Sequence, residues 1–157
     1  MKAIIVCTSV SHGNTQKVAD AMGQILDARV VTPEQVGPAE LSDHDLVGFG
    51  SGIYLGSFHS RLRTFVQALP QGRQTKAFVF ATSGFPDAGI HSYSRPLVRL
   101  LDQKGFEVVD TFSCRALDTF LPFKLIGGVR KGRPNDTDLA SARTFAEGLR
   151  TRIRTTS

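Results

Sequence analysis

Short apolar runs alternate along this chain with stretches whose apolar residues recur every three or four positions. The first run, residues 3–7 (AIIVC), is uninterrupted, which predicts a strand buried on both faces rather than one with a wet side. Behind it Val18, Ala19, Met22, Ile25 and Leu26 mark one face of a helix. Residues 29–32 (RVVT) predict a second strand. Pro33 and the Gly37-Pro38 pair then leave room only for a weak helix before residues 45–50 (DLVGFG) predict a third strand. Leu62, Phe65, Val66 and Leu69 stand at i, i+3, i+4 and i+7, a helical stripe that Pro70 ends. Residues 76–82 (KAFVFAT) predict a fourth strand. An 11-residue loop, 84–94, leads to a helix with Ser94 as its cap, Pro96 in its first turn and Gly105 at its end. Residues 106–114 (FEVVDTFSC) predict the fifth strand. Leu139, Ala142, Ala146, Leu149 and Ile153 predict a closing helix behind Pro134, with Asp136 as its cap.

Strand and helix thus alternate five times. A parallel strand pair needs a crossover, and each crossover helix must bury its stripe on the sheet, so the expected class is α/β with a parallel sheet covered on both faces. No repeat, low-complexity tract or linker interrupts the pattern, and one domain over residues 1–157 is expected. In such sheets ligands lie beyond the carboxyl ends of the strands. The loops of interest are therefore 8–14, 51–58, 83–94 and 115–135.

Composition adds mainly exclusions. With 41% hydrophobic and 21% charged residues the profile is globular. No apolar run approaches the roughly 20 residues of a membrane span. Residues 4–6 are too short for a signal-peptide core, so the cytoplasm is the expected compartment. Cys7 and Cys114 are the two cysteines, without CxxC or metal-ligand spacing, and read as small buried apolar residues. The net charge is +5, and the excess falls late, in Lys124, Arg130, Lys131, Arg133, Arg150, Arg152 and Arg154. It reads either as a solvated basic face or as a docking surface for an acidic protein, a nucleic acid or an anionic membrane.

Several nucleotide and catalytic motifs are absent. There is no GxxxxGK[ST] and no GxSxG, and the glycines of residues 48–56 (GFGSGIYLG) do not satisfy GxGxxG. Thr8 and Ser9 stand where a phospho-accepting receiver would carry acids. What the first loop offers is Ser9, Ser11, His12, Gly13, Asn14 and Thr15 at the mouth of a helix, more donors than a single cap uses. Unpaired N–H groups and the helix dipole suit a phosphate there, and it would be held by neutral donors, since no cation precedes Lys17. The alternative is plain capping by Ser11 or Asn14. The second loop, residues 51–59 (SGIYLGSFH), is apolar and aromatic, which suits either a flat ligand or core packing. The third, residues 82–89 (TSGFPDAG), again joins small polar residues to one aromatic, Phe85. Lone loop histidines (His12, His44, His59, His91) are given no proton-transfer role.

These stretches resemble the flavodoxin family. VCTSVSHGNTQKVADAM is similar to its phosphate loop and first helix, SGIYLG to its second flavin loop and ATSG to its third, and residues 112–149 resemble the C-terminal part of a flavodoxin-like subgroup. The resemblance implies a flavodoxin-like three-layer α/β/α fold with a five-stranded parallel sheet in the order 2-1-3-4-5. It implies FMN as cofactor. Ser9, Ser11, His12, Asn14 and Thr15 would bind its phosphate, with Gly13 giving clearance. Ser51, Gly52, Ile53, Tyr54, Leu55 and Gly56 would line the isoalloxazine, and Thr82, Ser83, Gly84 and Phe85 would close its other side. Tyr54 is the first choice for a stacking ring and Phe85 the second.

The function so implied is that of a flavoprotein in electron transport, exchanging electrons with a redox partner protein and needing no catalytic side chain of its own. Two features depart from the family. Diffusible flavodoxins are typically acidic, whereas the sequence pI here is about 9.6, so the expected partner carries an acidic face. Residues 119–133 (TFLPFKLIGGVRKGR) alternate apolar and basic residues, which suits packing over the sheet edge or a peripheral contact with a membrane or quinone. That segment keeps open a second function, an FMN-dependent oxidoreductase acting on a quinone or porphyrinogen, as in protoporphyrinogen oxidases of the flavodoxin type. A third is a flavin-free binding module on the same fold. No nucleic-acid partner and no metal are expected.

Overall fold

The computed structural model describes residues 1–9, 14–54, 57–72, 74–83, 90–115 and 136–156. In chain order the elements are β1 (Ala3–Thr8), α1 (Asn14–Leu26), β2 (Arg29–Val31), a 3-10 turn (Pro33–Gln35), α2 (Pro38–Leu41), β3 (Leu46–Tyr54), β4 (Ser57–Phe58), α3 (Ser60–Ala68), β5 (Thr75–Ser83), α4 (Ile90–Gln103), β6 (Phe106–Arg115) and α5 (Asp136–Thr156). Five parallel strands lie in the order β2-β1-β3-β5-β6, and β4 folds back antiparallel on β3. Counting the parallel strands alone, the order is the expected 2-1-3-4-5.

Side chains along a strand point alternately to the two faces of a sheet, and here each face meets a core of its own. Ile4, Val6, Val47, Phe49, Ala77 and Val79 pack against Leu62 and Val66 of α3 and Leu97 and Leu101 of α4. Ile5, Cys7, Leu46, Phe78 and Phe80 pack against Val18 and Met22 of α1 and Ala142, Ala146 and Leu149 of α5. The helical stripes expected for α1, α3 and α5 are thus the faces that cover the sheet, giving three layers. Burial within the second core pushes the Cys7 thiol up to about 12, with the Asp20 charge adding to it, so this cysteine is inert packing. Cys114 is half-buried.

The glycines of β3 have a packing reason. Gly48 pairs with Phe78 and Gly50 with Phe80 across the strands. A Cβ on Gly48 would lie 2.4 Å from the Phe78 ring, and one on Gly50 would lie 2.1 Å from the Phe80 ring. The two rings lie over bare backbone and extend an aromatic cluster, with Phe78 at 5.9 Å from Phe145 and Phe145 at 5.2 Å from Phe112.

Three expectations need correction. β3 does not end at Gly50 but runs on to Tyr54, because residues through Gly52 stay paired with β5. α4 begins at Ile90, so Ser94 and Pro96 lie inside it. Ser94 is buried one turn before Leu97 and two before Leu101, which places it on the helix's inner stripe instead of at its cap. Pro96 removes one helical N–H, and packing of Leu97 and Leu101 outweighs that loss. Two of the late arginines also bond within the fold. Arg150 donates to the Ile25 carbonyl at 3.0 Å, tying α5 to α1, and Arg152 pairs with Asp110 of β6 at 2.8 Å. Residues 119–133, with Lys124, Arg130, Lys131 and Arg133, lie outside the described residues. The expected Asp136 cap is instead the first residue of α5, in a turn where its charge complements the helix dipole.

Gly50→Ala is expected to lower unfolding free energy by about 2–3 kcal/mol in urea titration, since Phe80 cannot withdraw from a packed core. Gly148→Ala, in an exposed turn of α5 where a Cβ meets nothing within 4 Å, is expected to raise it by about 0.5–1 kcal/mol.

Candidate functional site

At the carboxyl edge of the sheet the strands end in hydroxyl residues. Thr8 of β1 is in register with Ser51 of β3, and Gly52 of β3 is in register with Thr82 of β5. Thr8, Ser51 and Thr82 are all buried and give this edge a row of hydroxyls divided between the two faces, Thr8 and Ser51 following Ile4, Val6, Val47 and Phe49 on the α3 and α4 side, and Thr82 following Phe78 and Phe80 on the α1 and α5 side. Hydroxyls fit there because the ladder ends at that row, and side chains facing the loops meet polar backbone.

α1 starts over the Thr82 side of this edge. Its first two residues, Asn14 and Thr15, are buried, and Thr15 Oγ1 lies 2.7 Å from Thr82 Oγ1. The Gln16 N–H donates to Ser9 Oγ at 3.3 Å, so Ser9 satisfies one of the open N–H groups of the helix. Ser9 thus supplies a capping acceptor to α1 from just beyond the end of β1. Ser51 is also engaged: its hydroxyl donates to the Gly52 carbonyl at 2.7 Å and accepts from the His59 N–H at 3.1 Å. That bond pair locks the β3–β4 hairpin to the start of α3. Ile53 is partly buried and packs on the α3 side of the core, while its partner Phe58 is almost wholly buried. For these two, the core explanation of the apolar second loop holds.

The backbones of Tyr54 and Ser83 belong to β3 and β5, while their side chains, like Ser11, His12, Gly13, Leu55, Gly56, Gly84 and Phe85, lie outside the described residues. Among the described candidates, the structure brings together Thr15 and Thr82, with Asn14 beside Thr15 in α1 and Ser9 bonded at the start of that helix.

Thr8 was not among the expected ligands. Its Oγ1 is buried and has no hydrogen-bond partner among the described residues. Leaving a hydroxyl so buried costs about 1–3 kcal/mol, and a ligand oxygen at that edge would recover it. The signal in the sequence was its place as the last residue of an apolar run ending in VCTS. No charged side chain stands among Thr8, Ser9, Asn14, Thr15, Ser51 and Thr82, so the positive potential there comes from the amino end of α1.

His59 caps α3, its Nδ1 accepting from the Arg61 N–H at 3.0 Å. Partial burial lowers its pKa, and Arg61 and Arg63 lower it further against a small opposing effect of Glu34. Two cavities lined by described residues, about 410 and 460 Å³, open at the amino edge of the sheet, one beside Met1, His44 and Lys76, the other beside Leu41, Leu69 and Phe106. Both are far from the hydroxyl row. The described residues contain no cluster of three or more His, Cys, Asp or Glu able to hold a metal ion, and no helix long and apolar enough to cross a membrane.

A family model for the flavodoxin domain matches residues 5–106. The chain belongs to the flavodoxin family. An uncharacterized protein of Methanocaldococcus jannaschii is 37% identical over 149 residues, covering 95% of this chain and 98% of that one. Among solved structures, a flavodoxin from the domain Archaea superposes with a TM-score of 0.71 at 17% identity, covering 98% of this chain and 99% of that one. A WrbA-like flavodoxin from Agrobacterium tumefaciens superposes at 0.70 with 17% identity over the full length of both. At such identity these structures establish the flavodoxin fold, and the family match lends the hydroxyl row its setting.

The lowered pKa of His59 favours its neutral form in the folded state. Its contribution to stability is therefore complete above about pH 6.5, the unperturbed value, and is lost as pH falls through the folded pKa. Urea midpoints measured between pH 7 and 5 are expected to fall more steeply for the wild type than for His59→Asn, which keeps a capping acceptor without titrating.

Proposed function

We propose that this flavodoxin-family chain binds FMN and serves as an electron carrier between partner proteins. The observation that carries the reading is the buried pair of Thr15 and Thr82, whose hydroxyls lie 2.7 Å apart at the first turn of α1, with the buried hydroxyl of Thr8, without a partner among the described residues, at the same carboxyl edge of the sheet. A phosphate monoester satisfies such a set: it takes several donors at once, and the helix amino end offsets its charge. The residues present fit the group. Asn14 and Thr15 are assigned to the phosphate with Ser9, Ser11, His12 and Gly13, and the isoalloxazine is assigned to the edge carried by β3 and β5, between residues 52–56 and 83–85. Bound FMN supplies the redox chemistry, in steps of one or two electrons. The chain holds the cofactor, and its buried strand ends exclude water from the phosphate side.

Two of the assigned roles are read more narrowly. Ser51 has its proton committed within the hairpin, so it braces the ring-bearing loop rather than donating to the ring. Ile53 backs that loop from the core. The partner assigned is a redox protein with an acidic face. Arg63, Arg95 and Arg99 are exposed on α3 and α4, which pack against each other, and they give that side a basic surface. Such a surface steers an acidic protein by long-range attraction.

Titration of the purified protein with FMN is expected to give saturable binding, followed by the visible flavin spectrum; a chain that takes up no flavin sinks the reading. Asn14→Ala and Thr15→Ala are expected to weaken FMN by about 10-fold or more while leaving riboflavin, which lacks the phosphate, little changed. Stepwise reduction of the loaded protein is expected to pass through a third spectrum distinct from the oxidised and fully reduced ones, as single-electron traffic requires. A direct passage between the two end spectra would favour two-electron chemistry on an organic substrate instead.

A further inference from the structure

The resemblance to flavodoxins places Thr82 against the isoalloxazine, yet its position in β5 sends its side chain elsewhere. Thr82 has the same parity along β5 as Phe78 and Phe80, whose rings lie in the core beneath α1 and α5. Its hydroxyl accordingly meets α1, 2.7 Å from Thr15 Oγ1, in a buried contact between residues 67 apart in sequence. We propose that Thr82 is a positioning residue for the phosphate subsite: its hydroxyl donates to Thr15 Oγ1, so that the proton of Thr15 is held for a bound phosphate. This rests on the FMN reading and adds a residue that serves the phosphate without touching it.

The argument is a count of protons. Two hydroxyls that share one hydrogen bond have one proton left over, and both oxygens here are buried, so the remaining proton needs an acceptor. Thr15 stands in the first turn of α1, where unpaired N–H groups and the dipole draw an anion; Thr82 stands at a strand end without that field. An anionic acceptor therefore fixes the direction of the pair, with Thr82 donating inward and Thr15 outward. Donation into Thr15 also polarises its O–H bond and strengthens the outward bond.

The test compares dissociation constants for FMN and riboflavin across variants of the whole chain. Thr82→Val is expected to weaken FMN by about 10-fold while riboflavin stays within about 2-fold of wild type. Thr82→Ser, which restores the hydroxyl, is expected to recover FMN affinity. The double variant Thr15→Val, Thr82→Val is expected to bind FMN no more weakly than Thr15→Val alone, since both changes remove one relay. Equal losses of FMN and riboflavin in Thr82→Val would place Thr82 against the ring and overturn the proposal, as would multiplicative losses in the double variant or an unchanged FMN affinity in Thr82→Val. Wild-type protein that binds neither flavin overturns the FMN reading itself, and this inference with it. Should Val at position 82 prevent folding, Thr82→Cys carries the same comparison, because a thiol is a weak donor close to serine in size.

Discussion

The seating of Phe78 and Phe80 on Gly48 and Gly50 is the contact on which the rest of the molecule depends. Two large rings on a central strand need room on the face covered by α1 and α5, and the neighbouring strand provides it by carrying no side chains at the paired positions. The requirement fixes register, because a slip of one residue would set each ring against a side chain of the opposite face. With register fixed, the next pair along the same ladder is Gly52 and Thr82. The core thus runs into the candidate site without a break. Where a third aromatic would continue the pattern, a hydroxyl stands instead, and it reaches the first turn of α1.

That continuity explains which parts were legible beforehand. The stripes of α1, α3 and α5 were readable because amphipathic periodicity records which face is buried, and the runs of β1 and β5 because strands covered on both sides carry unbroken apolar sequence. The end of β3 was not, since GSGIY has the composition of a loop and only its pairing with β1 and β5, and then with β4, makes it strand. The start of α4 was hidden for a related reason. Ser94 and Pro96 are good starting residues locally, and it is the burial of Ser94 on the Leu97 and Leu101 stripe that decides otherwise.

For the site, residue types were readable and directions were not. The sequence placed hydroxyls at the ends of three strands, but whether each points outward to a ligand or inward to the protein depends on strand parity and on the hairpin. Ser51 shows the inward case. It takes the His59 N–H and gives its proton to Gly52, joining the cap of α3 to the edge of the sheet. Thr8 shows the opposite case, a hydroxyl with the same burial and no partner among the described residues. Two neighbours in register thus divide between holding the scaffold and offering a donor, a distinction that composition cannot carry.

Electrostatics follow the same division. The chain is basic, yet the hydroxyl row has no cation in it, and several arginines are committed to the frame: Arg150 to the Ile25 carbonyl, Arg152 to Asp110, Arg29 to Glu40 and Arg61 to Glu34. The exposed pairs among these add little stability, being screened by water. An anion held, as proposed, by hydroxyls, backbone and the amino end of α1 would leave the cationic surface free of that task. It also sets the two interactions on different footings with salt. Attraction of a partner by exposed arginines weakens as ionic strength rises, whereas hydrogen bonds from buried hydroxyls are screened far less. In the proposed role, keeping FMN while exchanging partners would benefit from that separation, and the packing of glycine against phenylalanine in the central strands sets the register that leads to Thr82 at the first turn of α1.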